Sequence, residues 1–150
     1  MISIKNREVL EEKLSQLTMD HKPLFGKMGP QHMVEHLSLI MRASNGKFKA
    51  PLSVPEEKAE KRKRFLYTDD ELQPGFKGPG LPEEPLPLRF KDLDEARARL
   101  KKELDDFDAY YAGQPEIKEV HPVFGPLNYE EWTRFHDKHF QHHFKQFGLL

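Results

Sequence analysis

WTRFHDKHFQHHFKQF, residues 132 to 147, holds four of the chain's eight histidines: His136, His139, His142 and His143. On an α-helix each residue turns about 100° from the last, so His136, His139 and His143 share a sector of roughly 60°. Trp132, Phe135 and Phe147 fall in the same sector, and they are the residues a helix buries. An imidazole inside an apolar stripe is costly unless its ring nitrogens are satisfied, and a metal ion is the sharpest candidate for that role.

The rest of the chain sets the frame for this helix. At 150 residues it is expected to form a single domain over 1–150. Lys plus Arg (24) nearly equals Asp plus Glu (25), so no global field selects for nucleic acid or an anionic membrane. With no cysteine, any metal must be held by nitrogen and oxygen ligands. No run approaches the roughly 18 apolar residues of a membrane span, and the N-terminus lacks a continuous apolar core, so a soluble cytoplasmic protein is expected.

Four amphipathic helices are predicted. The first runs from about Asn6, an N-cap, to Leu17, with Val9, Leu10, Leu14 and Leu17 at helical spacing. The second starts at Pro30 and stops after Ser44, with Met33, Leu37, Ile40 and Met41 inward and His36 at the margin of that face. The third begins at Asp92, which forms a capping-box pattern with Glu95, and ends near Gly113. The fourth starts at Asn128, with Glu131 three residues on, and stops at Gly148.

Between the second and third helices, residues 46–91 contain seven prolines and four glycines and read as a long connector. Within it, PEEKAEKRKRF is expected to be a short solvated helix and not a nucleic-acid patch, because glutamates interleave its bases. GFKGPG is not read as a phosphate loop. No strand of useful length is expected, so the fold class is all-α: a four-helix bundle in up-down-down-up order, with a long Pro/Gly-rich crossover between helices 2 and 3. Aromatics on several faces of the last helix suggest a homodimer.

In that topology the second and fourth helices are antiparallel. His36 lies about 9 Å along the second helix, and His139 and His143 average about 9 Å from the end of the fourth. One imidazole from the second helix and two from the fourth, at i and i+4, therefore converge near one end of the bundle. Three neutral imidazoles with an open position make the ligand set of a catalytic zinc site, and imidazole also suits nickel, copper or iron. His136 either replaces one of the three or lines the pocket; His32, one turn before His36, is another pocket candidate. His142 is read as a supporting or helix-contact residue, and Gln146 as a partner able to orient a ligand imidazole. His121 is assigned to fixing its loop, at the opposite bundle end, and His21 is a loop histidine. No Glu or Asp can be placed beside the triad as a general base.

MGPQHMVEHL in the second helix and HFQHHFKQFG at the C-terminus resemble the DinB/YfiT-like superfamily of metal-dependent four-helix-bundle proteins, the latter through its H-x-x-H-H-x-x-Q pattern. Together with HPVFGPLNYEEW, they are most similar to a small branch of that superfamily. The resemblance implies a divalent metal, zinc or nickel with iron as a further option, on His36, His139 and His143. Superfamily members with assigned activities include thiol-dependent transferases using bacillithiol or mycothiol and a mycothiol-dependent maleylpyruvate isomerase. The implied chemistry is activation of water or of a low-molecular-weight thiol for transfer to, or hydrolysis of, a small-molecule substrate. The competing class is a noncatalytic helical protein that binds a metal or small ligand or serves as an interaction module.

Overall fold

The computed structural model describes residues 1–75 and 81–150. The fold is mostly helical. Its elements are α1 (Arg7–Ser15), α2 (Pro30–Ser44), α3 (Glu56–Arg62) continued by a 3-10 helix (Lys63–Tyr67), α4 (Leu93–Ala112), β1 (Glu119–His121), β2 (Gly125–Leu127) and α5 (Tyr129–Gln146). The four helices predicted from periodicity are α1, α2, α4 and α5.

Local chemistry sets the helix ends. The Asn128 side chain accepts from Glu131 N–H at 2.9 Å while the Glu131 carboxylate accepts from Asn128 N–H at 3.1 Å, so two otherwise orphaned donors of α5 are satisfied reciprocally. Asp92 caps α4 through Glu95 N–H at 2.8 Å, and Asn6 caps α1 through Val9 N–H at 3.3 Å. At the other end of α5, Gly148 takes φ +69°, which lets Leu149 N–H reach back to the Phe144 carbonyl at 2.8 Å.

Side-chain bonds between helices fix which ends lie together. Gln31 donates to Phe90 O at 2.8 Å and Tyr111 donates to Ser44 O at 2.6 Å, so α2 and the chain through α4 run in the same direction. His36 lies beside His139 whereas Ser44 meets His136, so α5 runs against α2. Arg7 pairs with Asp105 and Asp108 while Arg97 donates to the carbonyls of Leu14 and Leu17, so α1 runs against α4.

One hydrophobic cluster joins these elements, built from Leu10 and Leu14 of α1, Met33, Leu37 and Met41 of α2, Leu100, Leu104 and Phe107 of α4, and Trp132, Phe140 and Phe144 of α5. Full burial of each such side chain contributes about 1.5–3 kcal/mol. Trp132, Phe135, Phe140 and Phe144 of α5 and Phe147 at its C-cap are all buried within the chain.

Two expectations are corrected. The chain is not purely helical: β1 and β2 pair antiparallel, Glu119 with Leu127 and His121 with Gly125. Gly125 at φ +78° turns the hairpin, and strands of three residues are too short to leave a period in the sequence. The segment Glu56–Tyr67 is not only solvated, because Ala59 and Leu66 enter the interior. The crossover between α2 and α4 is, over its described residues, packed along the helices it passes. Buried Lys138 donates to the carbonyls of Thr68 and Asp70, His142 meets Leu72 O at 3.2 Å, and Ser53 N–H donates to Pro122 O at 2.9 Å. The GFKGPG run falls, except for Gly75, on residues 76–80 and lies outside the described residues.

Candidate metal centre

His36 of α2 and His139 and His143 of α5 point at one another. His36 Nε2 lies 3.0 Å from His139 Nε2, and His143 Nε2 lies 3.1 Å from the same atom. One ligand atom from each falls within 4.8 Å of the others. His139 and His143 are buried, and His36 is half-buried where the group meets a cavity of about 570 Å³ that all three line.

The protonation state follows from the surroundings. Burial holds the His36 imidazole down to about 4, with His142 adding to the effect. His139 and His143 are likewise held well below the usual imidazole range, first by burial and then by the neighbouring imidazoles. All three are therefore neutral at pH 7, the form that ligates a metal.

Gln146 settles the tautomer of His143. Its amide N–H donates to Phe25 O at 2.9 Å, which turns its carbonyl oxygen to face His143 Nδ1 at 2.7 Å. His143 Nδ1 must carry the proton, leaving a bare lone pair on Nε2 aimed at His139. At His139 the books do not balance with protons alone. If Nε2 holds the proton, Nδ1 is a buried acceptor with no partner; if Nδ1 holds it, a buried donor is orphaned and two lone pairs face each other at 3.1 Å.

A divalent cation fits this donor set. With metal–nitrogen bonds of about 2.0–2.1 Å, ligand nitrogens stand about 2.9 Å apart at right angles and about 3.4 Å apart in a tetrahedron, close to the two separations at His139 Nε2. It would take all three Nε2 lone pairs, with His139 Nδ1–H left buried and without a partner among the described residues. Among the described residues no carboxylate belongs to the set, so the three imidazoles would leave the charge of the ion undiminished.

The other named residues separate. His32 lines the cavity and accepts Gly29 N–H on Nδ1 at 3.1 Å, closing the first turn of α2. His142 also lines the cavity, with its Nδ1 committed to the connector at Leu72 O. His136 does not reach the cavity: Ser44 Oγ gives its hydrogen to Met41 O and so accepts from His136 Nε2–H at 2.8 Å, which fixes His136 in the core under Trp132. His21 accepts Thr18 N–H at 3.0 Å within its loop.

Two further residues stand at the cavity wall. Glu35 is an acidic residue of the cavity wall, but its carboxylate is occupied by Arg89 N–H at 2.7 Å, Phe90 N–H at 3.2 Å and the Gln31 amide at 2.9 Å, so it anchors the end of the connector. His121 fixes its loop as expected, through Val123 N–H at 3.1 Å, but it is not remote from the site, because it lines the same cavity. The cavity extends along α5 from His143 to Trp132, eleven residues or about 16 Å, so both ends of that helix open on it.

The fold and site define a mostly helical protein with a histidine triad at the wall of an apolar cavity. Residues 29–148, which carry the triad, the hairpin and the cavity-lining ends of the connector, match the family described as "Protein of unknown function (DUF1569)", and the chain belongs to that family. Comparison with curated proteins and with solved structures finds no match.

Proposed function

We propose that this chain is a divalent-metal-dependent enzyme of the DinB/YfiT-like type, with the metal held by His36, His139 and His143. The observation that carries the reading is the crowding of the His36 and His143 Nε2 atoms at 3.0 and 3.1 Å from His139 Nε2, where a single proton can serve only one of the two contacts and a metal ion accepts from all three nitrogens. Bound there, zinc, nickel or iron would lower the pKa of a coordinated water or low-molecular-weight thiol and so supply a nucleophile at neutral pH.

The chain's own residues do the rest. Gln146 holds His143 in the ligating tautomer, and Phe135 stacks on His139 at 5.2 Å between ring centroids, limiting its rotation. Burial keeps all three imidazoles unprotonated. The cavity beside them is within the size range of small-molecule sites and is walled by Phe25, Met28, Ile40, Phe48 and Phe90, which favours an apolar substrate body. In this reading the pairwise directions of α1, α2, α4 and α5 make an up-down-down-up bundle, the architecture that suits a metal site between facing helices.

Elemental analysis of tag-free protein tests the proposal, with His36→Ala and His143→Ala as controls. About one equivalent of a divalent transition metal is expected in the native protein and little in either variant. Native protein without metal, whose melting temperature does not rise with added zinc or nickel, would sink it.

A further inference from the structure

His121 ends β1 as a buried residue, its ring packed against Phe124 at 4.8 Å, Trp132 at 5.3 Å and Phe135 at 4.4 Å between centroids. Its Nδ1 accepts Val123 N–H at 3.1 Å. A backbone N–H only donates, so Nδ1 carries the lone pair and the neutral ring must bear its proton on Nε2. Burial pushes its pKa down to about 3, with no acidic side chain among the described residues raising it, which keeps it neutral. That Nε2–H has no hydrogen-bond partner among the described residues, and the side chain lines the cavity that holds the triad. Phe135 stands 4.4 Å from His121 and 5.2 Å from His139, which caps the separation of these two imidazoles at about 10 Å.

A neutral imidazole whose tautomer is fixed from behind is a directed donor that does not change charge when it binds. The hairpin supplies the fixing bond, and the aromatic walls exclude the water that would compete for the proton.

We propose that His121 is a substrate-binding residue whose Nε2–H donates to a carbonyl or carboxylate oxygen of a molecule with an aromatic or aliphatic body, seated between the hairpin and the histidine triad. The substrate class is thus an acyl-bearing apolar compound, its oxygen held within about 10 Å of the triad. The inference rests on the reading of this cavity as a substrate site, but the contact itself needs no metal.

The test uses benzamide as the acyl probe and toluene as a body without an acceptor, with wild type, His121→Phe and His121→Gln, each in metal-free and zinc-treated form. Nitrogen-15 spectra of the imidazoles should show the His121 proton on Nε2 and a saturable shift with benzamide. His121→Phe should weaken benzamide about tenfold, the loss of one buried hydrogen bond, while leaving toluene unchanged. His121→Gln, which keeps a donor, should restore most of the affinity. A proton on Nδ1, no saturable benzamide binding to wild type, or equal loss of benzamide and toluene in His121→Phe would overturn the proposal. Failure to take up zinc with the His121 effect intact would remove the metal reading and leave this one standing.

Discussion

Gln146 faces His143 from one turn further along α5, its carbonyl oxygen 2.7 Å from the ring Nδ1 and its amide committed to Phe25 O. The relationship makes the loop at Phe25 part of the centre: a carbonyl outside any helix determines which nitrogen of a buried histidine carries a proton.

Replacing Gln146 with Leu removes the acceptor and frees the ring to change tautomer or turn. Metal affinity should fall about 10- to 100-fold, as for other partners that orient ligand histidines, with little change in helical content. Competition with a chromophoric chelator measures it, and an unchanged affinity would show that Gln146 only packs.

The buried histidines set an acid limit on stability. His36 is held at about 4, and His121 and His136 at about 3, in each case chiefly by burial, against about 6.5 in the unfolded chain. The unfolded chain therefore takes up protons that the native state refuses. Their stabilising contribution is complete above about pH 6.5 and is lost as pH falls toward 3 to 4. Urea midpoints of metal-free protein should drop between about pH 7 and pH 4.5, and His136→Phe should give a shallower drop.

Gly46 holds φ +80° after α2, and a Cβ there would stand 2.6 Å from the Tyr110 ring. Gly46→Ala combines a disfavoured backbone with an overlap that a packed ring can relieve only by moving. A loss of roughly 2–3 kcal/mol is expected, read from denaturant unfolding. Gly113, with nothing within 4 Å of its would-be Cβ and a helical backbone, serves as the contrasting site, where Ala should be close to neutral.

Glu103 is fully buried between α2 and α4. Burial works to raise its pKa, but bonds from Lys47, Asn45 and Arg42 overcome it and hold the carboxyl below the ordinary range. Glu103→Gln should cost about 2 kcal/mol or more, since a neutral amide cannot serve Arg42 at 3.0 Å and Lys47 at 2.5 Å as the carboxylate does. The same variant should leave metal affinity unchanged. A fall in both would mean that the α2–α4 contact governs the triad.

The helices were legible because each carried two independent marks. α5 shows a capping pair at Asn128 and Glu131 and an apolar stripe from Trp132 to Phe147, and α2 shows Pro30 at its start and Gly46 past its end. The proximity of His36 to His139 was legible as a matching of axial depth. Other features leave no such mark. The hairpin is three residues a side, and the connector is held by Lys138 through carbonyl groups that every residue type offers equally. His121 was misplaced because it precedes the start of α5, far along the axis from His139 and His143, whereas the cavity runs along the helix past Phe135.

Glu35 and His36 are adjacent on α2, one clasping the backbone of Arg89 and Phe90 and the other aimed at His139. A rigid helix turn therefore carries both a panel of the cavity and a corner of the histidine triad. Displacement of one transmits to the other without an intervening joint, so the shape offered to an incoming molecule and the spacing of the three imidazoles form a single mechanical variable.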